Sequence, residues 1–347
     1  MAKREETISI DKADLVAFGG KVRLDRFLSQ KFPELSRSRI HELIDSGGVI
    51  IKDKPAKPSQ SLRGGETIVV HLEQLASREM TLEPKPLEKP LEIIFEDDHI
   101  IVVNKPAGVT VHPGAGTQGE ITLVHALLHH CGVLPEPIQI REDDSENEVF
   151  LDSSASSASL RPGIVHRLDR DTSGAIVIAK SAVAHRDLSA QFHDKTNFRQ
   201  YLVLCSGPMP VDAVMRESWL GRDPGHRTRF RSFEEEGAGR KYAKTIFRRE
   251  VAFESGATLV SARLYTGRTH QIRVHARDLG MPVAGDASYG DDSRLLPEIR
   301  ILATRQMLHA WKLGIRHPVS GKEMAFEAPL PPDFANLLTC LSRNTKT

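Results

Sequence analysis

The stretch His166-Arg167-Leu168-Asp169-Arg170-Asp171-Thr172-Ser173-Gly174 decides how this chain is interpreted, because it sets acidic and basic side chains in a turn between two apolar segments. Residues 163–165 before it are predicted to form a short buried strand, and residues 175–179 after it are predicted to form another. Asp169 then falls on a loop held by two rigid strands, where catalytic groups are often found. From this stretch alone, Asp169 could equally pair with a neighbouring arginine or cap a turn.

A second block, Thr266-Gly267-Arg268-Thr269-His270-Gln271-Ile272-Arg273-Val274-His275, offers a partner for this acid. Residues 258–265 predict a strand, Gly267 turns the chain, and Thr269 is a candidate N-cap for a following helix. That helix carries Arg273 at the edge of its apolar stripe, where a guanidinium can reach a carboxylate on another loop. Such a pair favours the ionised carboxylate that a nucleophile or base needs. The alternative is an arginine on a solvated helix surface, where ion pairs are common and weak.

Together the two blocks resemble the signatures of the RluA family of RNA pseudouridine synthases, namely a His-Arg-Leu-Asp loop followed by Thr-Ser-Gly and a later Gly-Arg-Thr-His-Gln-Ile-Arg-Val-His segment. The resemblance spans residues 91–335. It implies an α+β protein whose β-rich catalytic core has a mixed or antiparallel sheet with flanking helices. It also implies isomerisation of uridine in RNA without a cofactor. Further matches, in the family's order, lie at residues 104–108, 111–114, 285–286, 289–290, 308–311 and 317–318.

The resemblance implies roles for individual residues. Asp169 matches the catalytic aspartate, Arg273 the arginine that pairs with it, and Tyr201 the tyrosine that packs against the uracil. Arg167 matches the residue that enters the space left by the flipped nucleotide. The neighbours expected to contact the RNA substrate are His166, Arg268 and His270. Arg199-Gln200-Tyr201 departs from the usual Lys-x-Tyr or Arg-Glu-Tyr, so Tyr201 could instead be a core tyrosine with a satisfied hydroxyl.

The implied chemistry needs few protein groups. The bond from ribose C1′ to uracil N1 breaks, the uracil turns over, and its C5 bonds to C1′. A carboxylate such as Asp169 can trap the electron-poor C1′, as in glycoside hydrolysis, or remove the C2′ proton to give a glycal-like intermediate. The sequence leaves both routes open. Because the base is stacked inside RNA, it must be flipped out, and Arg167 and Tyr201 suit the filling and receiving roles.

Residues 21–75 are predicted to form a separate RNA-binding domain. Apolar residues recur at helical spacing over residues 23–32, Ser36 is a candidate cap for a second helix closed by Gly47, and two short strands follow. Residues 21–63 hold ten Lys and Arg against five Asp and Glu, on a chain whose net charge is +1. The pattern is similar to a small α/β S4 domain, although an ordinary solvated basic face is the alternative. The side chains expected to meet RNA phosphates are Arg23, Arg26, Arg37 and Arg39.

The other domain boundaries follow from composition. Residues 1–20 are predicted to be an N-terminal extension, and the prolines and charges of residues 76–90 predict an exposed linker. The catalytic domain is expected over residues 91–335, followed by a tail at residues 336–347. An acidic and then serine-rich run over residues 135–160 is predicted to be a loosely packed insertion that repels RNA.

Composition also argues against several classes. No apolar run approaches the ~18 residues of a membrane span, and no secretory signal is apparent, so a cytoplasmic location is expected. The protein is also expected to be a monomer. Cys131, Cys205 and Cys340 are far apart, which favours neither a disulfide framework nor a cysteine metal site. His125 and His129 lack the glutamate of a zinc-protease helix, so no metal is expected. No phosphate-binding loop for a nucleotide is present, and no cofactor is expected.

Two functional classes remain. The first is an RNA pseudouridine synthase, most like the RluD type, which modifies uridines in a stem-loop of bacterial 23S (large-subunit) ribosomal RNA. A tRNA or another rRNA uridine is the alternative substrate. The second class is a non-catalytic RNA-binding factor for ribosome assembly. The intact set Asp169, Tyr201 and Arg273 favours the enzyme, because a pure binding protein has no physical reason to keep a lone carboxylate facing polyanionic RNA.

Overall fold

The computed structural model divides the chain into an N-terminal unit that ends at Pro84 and a C-terminal unit that begins at Lys85. Each unit has a hydrophobic core of its own. Most of the predicted linker and of the predicted insertion lies outside the described residues, as does the candidate cap Ser36. The structure describes residues 5–11, 14–15, 18, 20–32, 37–72, 87–113, 120–135 and 161–343.

The N-terminal unit packs two helices against small antiparallel sheets. Its elements are β1 (Glu5–Ser9), β2 (Val22–Arg23), α1 (Leu24–Lys31), α2 (Arg37–Asp45), β3 (Val49–Ile51), β4 (Lys54–Pro55), β5 (Ser61–Leu62) and β6 (Thr67–His71). One sheet has the order β1-β6-β3-β4, and β2 pairs with β5. Both predicted helices and both predicted strands are confirmed. The apolar stripes of the two helices share one core that includes Leu24, Phe27, Leu28, Ile40, Leu43 and Ile44.

The C-terminal unit is built on one large mixed sheet. Its elements are β7 (Ile93–Glu96), β8 (Ile100–Lys105), α3 (Leu123–Cys131), β9 (Ser173–Ala179), α4 (Ala182–His193), β10 (Phe198–Ser206), β11 (Ala213–Asp223), β12 (His226–Phe233), β13 (Lys241–Ala252), β14 (Ala257–Leu264), α5 (Gln271–Asp278), α6 (Pro297–Leu302), β15 (Leu308–Arg316), β16 (Glu323–Glu327) and α7 (Pro332–Arg343). The strand order is β12-β11-β13-β14-β10-β15-β9-β8-β7, and β16 pairs with β15. β9 and β15 run parallel, and the other pairs are antiparallel. This architecture confirms the predicted α+β class.

Strand β9 is buried on both faces. Ile176 and Ile178 join the core on one side of the sheet, and Val177 joins the core on the other side, where helix α4 packs. All seven residues of the strand are buried, which explains why its sequence is a continuous apolar run and not an alternating one. A strand fixed on both faces gives the loop before it a rigid anchor.

One row of residues crosses the sheet beneath the functional loops. Gly174 of β9 lies opposite Ala310 of β15, which lies opposite Tyr201 of β10, which in turn pairs with Ala262 of β14. At Gly174 the strands approach so closely that an added Cβ would lie 2.3 Å from the Ala310 carbonyl oxygen, and its φ is +116°. Only glycine fits there. The row brings the start of β9 and the end of β14 to the same part of the sheet.

Two predicted boundaries differ from the structure. Residues 163–165 do not form a strand, since Ile164 makes only an isolated bridge to Ile178. Gly163 turns the chain there with φ +72°. The predicted tail from residue 336 is also wrong over residues 336–343, because α7 continues to Arg343 and buries Leu337 and Leu341 in a core of the C-terminal unit.

A buried lysine anchors the loop that precedes β9. Lys105 is fully buried, and its Nζ donates to the carbonyl oxygens of Pro106 at 2.9 Å, Val109 at 2.8 Å and Arg170 at 2.9 Å. Burial lowers the pKa of Lys105 to about 7. Three carbonyl acceptors match the three N–H donors of an ammonium group. Lys105 therefore ties the residue after Asp169 to the end of β8.

We expect Lys105→Met to destabilise the C-terminal unit, because it leaves buried carbonyl oxygens without a donor. A loss of about 3 kcal/mol in the free energy of unfolding is expected for such a site. Urea unfolding followed by tryptophan fluorescence measures it, since both tryptophans, Trp219 and Trp311, lie in this unit. Lys322→Met, at an exposed position between β15 and β16, is the matched control. Equal midpoints for the two variants would contradict the anchoring role.

Candidate active site

A cleft of about 740 Å³, part of it open to solvent, lies between the loop before β9, strand β10 and the start of α5. The structure brings all seven candidate residues of the catalytic domain to this one cleft, together with Arg199, which the sequence analysis did not assign a role. The residues that line it include His166, Arg167, Asp169, Arg199, Tyr201, Arg268, His270 and Arg273.

Arg273 lies between two carboxylates. Its Nη1 donates to Asp169 Oδ2 at 3.0 Å, while Nε and Nη2 donate to the two oxygens of Asp286 at 2.6 and 2.8 Å. The Asp286 side chain is 0% exposed, whereas that of Asp169 is 21% exposed. Asp286 also accepts two backbone N–H groups. Asp286 is therefore the buried counter-ion that fixes the guanidinium, and Asp169 is the carboxylate that reaches the cleft.

The surroundings of Asp169 keep it ionised. Burial alone would raise the pKa of this carboxyl group, but the positive charges of His270, Arg273 and Arg167 outweigh burial and hold the pKa below its usual value. Burial lowers the pKa of His270 itself, so the two arginines are the charges that act at neutral pH. An ionised carboxylate at the wall of a cleft is suited to act as a nucleophile or a base.

His270 is held beside Asp169 by a tyrosine. Its backbone is left-handed, with φ 57°, and its Nδ1 lies 2.8 Å from the hydroxyl oxygen of Tyr289. That oxygen accepts the N–H of Phe230 at 2.7 Å, so the Tyr289 hydrogen can donate to Nδ1. We assign the Nε2–H tautomer from this network. In this tautomer the hydrogen is on Nε2, and Nε2 lies 3.9 Å from Asp169 Oδ2.

The turn before α5 is held by Gln271. The Gln271 Oε1 accepts the Thr266 hydroxyl at 2.7 Å and the Arg268 N–H at 3.0 Å. The N-cap position is His270, which makes no side-chain cap. The predicted N-cap at Thr269 is therefore wrong. The glutamine also donates to β13, a contact that local spacing does not reveal.

Two predicted RNA contacts, His166 and Arg268, line the cleft but use their polar atoms to hold the protein. His166 Nε2 accepts the Val177 N–H at 3.1 Å, and its ring stacks on Phe192 with centroids 4.3 Å apart. Burial lowers the pKa of His166 to about 3, so the ring is neutral. Arg268 is buried, and its Nε donates to the Tyr242 carbonyl at 2.9 Å. Both residues shape the walls of the cleft.

Arg167 and Tyr201 present unpaired groups to the cleft. Arg167 is exposed and makes no hydrogen bond or ion pair with the part of the chain that the structure describes. Tyr201 is 7% exposed, and no described residue hydrogen-bonds to its hydroxyl. Burial raises the pKa of Tyr201, so the phenol is neutral. Tyr201 thus packs in the core of the C-terminal unit, as the alternative expected, but without a described partner for its hydroxyl.

Arg199 is the cleft residue that the sequence analysis missed. It is 9% exposed, its guanidinium lies 5.5 Å from the ring centroid of Phe192, and its Nε has no hydrogen-bond partner among the described residues. Gly267 leaves space for it, because an added Cβ there would lie 2.5 Å from Arg199 Nη1. The available signal was its position two residues before Tyr201, which puts both side chains on one face of β10.

The basic candidates of the N-terminal unit are exposed where they can be described. Arg23 lies 2.7 Å from an oxygen of Asp25, in a pair that solvent screens. Arg26 lies 5.6 Å from the ring centroid of Phe18. The candidates whose side chains lie outside the described residues are Arg37 and Arg39.

The described ranges contain no group of three His, Cys, Asp or Glu residues that could hold a metal ion. His125 has a structural contact, since its Nδ1 accepts the Thr122 N–H at 3.0 Å at the start of α3. Over the same ranges, no helix is both long enough and apolar enough to cross a membrane.

Comparison with known proteins gives a consistent result. A family model described as RNA pseudouridylate synthase matches residues 99–278, and an S4 domain model matches residues 22–68. The two matches fall in the two units of the structure, and the first contains both loops of the cleft.

Similar curated proteins extend along most of the chain. "Ribosomal large subunit pseudouridine synthase D" of Neisseria meningitidis serogroup A is 38% identical, over 92% of this chain and 78% of that protein. The protein of the same name from Nitrosomonas europaea is 38% identical, over 98% of this chain and 89% of that protein. An "Uncharacterized RNA pseudouridine synthase" of Aquifex aeolicus is 37% identical, over 94% and 96%.

A solved structure shares the fold. Human RNA Pseudouridylate Synthase Domain Containing 1 has a TM-score of 0.51 and 24% identity, and the match covers 73% of this chain and 95% of that chain. The family-model match, the long alignments and a cleft with an ionised aspartate beside an arginine lead to one conclusion. The chain belongs to the RNA pseudouridylate synthase family, whose enzymes isomerise uridine in RNA, and it carries an S4 domain in its N-terminal unit.

Proposed function

We propose that this enzyme converts uridine to pseudouridine in a stem-loop of bacterial large-subunit ribosomal RNA, as a cytoplasmic monomer. The names of the most similar bacterial relatives support this substrate. The single observation that carries the chemistry is Asp169, ionised at the cleft and held by Arg273, which the buried Asp286 holds in turn.

The target nucleotide enters the cleft by leaving the RNA stack. Tyr201 offers an aromatic face and a hydroxyl that no described residue binds, which suits a residue that receives the flipped uracil. Arg167 is exposed at the cleft and has no partner among the described side chains, which suits a residue that fills the vacated space. Loop uridines are favoured targets because unstacked bases cost less to extrude.

Asp169 acts on the ribose. Its carboxylate either bonds to C1′ or removes the C2′ proton, and in both routes the electron pair of the C1′–N1 bond leaves with the uracil. The uracil then turns over, and its C5 bonds to C1′; this step releases the Asp169 carboxylate from C1′ in the first route and returns the proton from Asp169 to C2′ in the second. C5 loses its proton and N1 gains one, so the reaction is an isomerisation that needs no oxidant and no second substrate. Asp286 and Arg273 keep Asp169 ionised and aimed until it reacts.

The S4 domain adds affinity for the RNA backbone. Its region holds ten basic against five acidic residues, and Arg23 and Arg26 are exposed on the N-terminal unit. Contacts of this kind bind phosphates without reading sequence, and their strength falls as salt rises.

Asp169→Asn tests the proposed reaction. Asparagine keeps the shape of the side chain, and Asp286 still holds Arg273, so the fold and RNA binding should persist while isomerisation is lost. Transcriptome-wide pseudouridine mapping compares cells that carry the wild-type chain or the variant. Loss of signal at large-subunit rRNA loop uridines is expected. Loss confined to tRNA would contradict the substrate, and no loss anywhere would favour a binding factor.

The double variant Arg273→Gln/Asp286→Asn tests how Asp169 is kept charged. It replaces a buried ion pair by two neutral amides, of which asparagine matches aspartate in shape and glutamine is shorter than arginine. Arg273→Gln alone would leave Asp286 buried and unpaired, at about 3–5 kcal/mol. Without the Arg273 charge the pKa of Asp169 rises. The acid limb of the pH–rate profile should therefore move to higher pH. An unmoved limb at full activity would show that the pair does not control Asp169.

Deletion of residues 1–84 tests the S4 domain. The C-terminal unit retains its own core, so isomerisation of a short hairpin should persist, while the affinity for a long rRNA fragment falls. The plot of log affinity against log salt concentration should also become less steep, by roughly 0.7–0.9 for each phosphate that the protein no longer neutralises. Filter binding over a series of salt concentrations measures both. Unchanged affinity and slope would rule out the proposed RNA role of this unit.

A further inference from the structure

Arg199 is a buried cation for which the described residues provide no counter-ion. It is 9% exposed, and its Nε has no hydrogen-bond partner among them. Both carboxylates nearest the cleft, Asp169 and Asp286, bond to Arg273 instead. An unpaired buried charge costs free energy in the folded state. The described contact that offsets this cost is the Phe192 ring, and no described ion pair does so.

The other cations of the cleft are differently placed. Arg273 is shared by two carboxylates, and Arg268 donates to the backbone of β13. Arg167 is exposed, where water solvates its charge. Among the described residues that line the cleft, Arg199 is the guanidinium that is both buried and without a hydrogen bond to the protein.

The reaction creates a charge that fits this position. When the C1′–N1 bond breaks, the electron pair stays on the uracil, and its negative charge spreads over the carbonyl oxygens O2 and O4. Asp169 can balance the electron-poor ribose, but it repels the departing base. A cation on the uracil side would stabilise the separated charges most where they develop, which is the condition for catalysis.

We propose that Arg199 is a second catalytic residue, which donates hydrogen bonds to the detached uracil and stabilises its negative charge while it turns over. This role rests on the proposed function and deepens it. Arginine suits it because its N–H groups lie in one plane and match planar acceptors. The described part of the chain supplies no hydrogen-bond acceptor for Arg199, and the uracil anion would be that acceptor.

The geometry supports this assignment. Arg199 and Tyr201 are two residues apart on β10 and line the same cleft, so a base that packs on the tyrosine lies beside the guanidinium. Phe192 contacts the guanidinium from one side at 5.5 Å, and Gly267 packs so close to it that an added Cβ would lie 2.5 Å from Nη1. The group is therefore positioned before the substrate arrives and need not reorganise during the reaction.

The test compares Arg199→Gln with Arg199→Lys under single-turnover conditions, with saturating enzyme and a stem-loop RNA tritiated at uridine C5. Release of tritium reports the formation of pseudouridine. Arg199→Gln should slow the reaction by about 100- to 1,000-fold, as loss of one preorganised group does at other charge-stabilising sites. Arg199→Lys, which keeps the charge, should recover much of the rate. The dissociation constant for the RNA should not change.

Thermal stability separates catalysis from packing. Because Arg199→Gln removes an unpaired buried charge, its unfolding temperature should equal or exceed that of the wild type.

Arg263→Gln is the matched control for the reaction rate, since Arg263 pairs with Gln200 in the neighbouring strand and stacks between Phe198 and Tyr265 at 5.1 and 4.9 Å. It is exposed and does not line the cleft, so the wild-type rate is expected.

A 5-fluorouridine substrate tests the charge directly. Fluorine makes the base a more stable anion, so the loss caused by Arg199→Gln should be smaller for consumption of 5-fluorouridine than for uridine. Chromatography of digested RNA follows that consumption. A residue that merely packs the cleft would slow both substrates equally.

Several outcomes would overturn the proposal. A wild-type rate for Arg199→Gln would do so, as would weaker RNA binding with an intact saturated rate, which would indicate a phosphate contact. Equal slowing by Gln and Lys, together with a lower unfolding temperature, would indicate packing. If the wild-type protein converts no uridine in any RNA tested, the proposed function fails as well. An active wild type with an unaffected Arg199→Gln defeats only the role of Arg199.

Discussion

The active site depends on one guanidinium held between two carboxylates. Arg273 comes from helix α5, Asp286 from the segment after that helix, and Asp169 from a loop 104 residues earlier in the chain. A bidentate ion pair of this kind fixes both distance and angle. With Asp286 fully buried, the guanidinium cannot turn away, and Asp169 is left ionised at the wall of the cleft. The rest of the unit brings these three segments together, through the row of paired residues that crosses β9, β15, β10 and β14.

The polar groups of the cleft are of two kinds. Those behind the surface are satisfied by the protein: Lys105 by three carbonyl groups, Gln271 by the turn it closes, and His166 by the backbone of β9. Those that face the cleft, Tyr201 and Arg199, lack such partners in the described structure. The first kind gives the loops rigidity, and the second kind leaves hydrogen bonds and charge available to a substrate. Such unsatisfied groups cost stability, which is a usual property of active sites.

Much of this arrangement could be predicted from local pattern. The apolar run after Gly174 indicated a buried strand, as observed. The helical spacing after Gly267 predicted that Arg273 lies at the edge of a buried stripe and reaches a carboxylate; it does meet Asp169, although the structure buries all of residues 271–276. The contributions of Asp286 and Tyr289 could not be predicted in the same way. Each acts through a partner on another element, and neither the spacing of apolar residues nor a capping preference reveals such a partner. The same reason explains the error at Thr269, where a glutamine bonded to β13 replaces a local cap.

The sequence by itself determined which groups are available: an aspartate in a basic turn, an arginine on an amphipathic helix, a strand tyrosine, and a basic N-terminal domain apart from the catalytic one. These are properties of spacing and composition, which a chain carries before it folds. The tertiary structure alone decided which groups share a cavity, which carboxylate is buried and which is open, and which arginine has no counter-ion among the described residues. These depend on distance and burial, and only the packing of distant segments sets the local dielectric and the neighbours that fix the charge of each group.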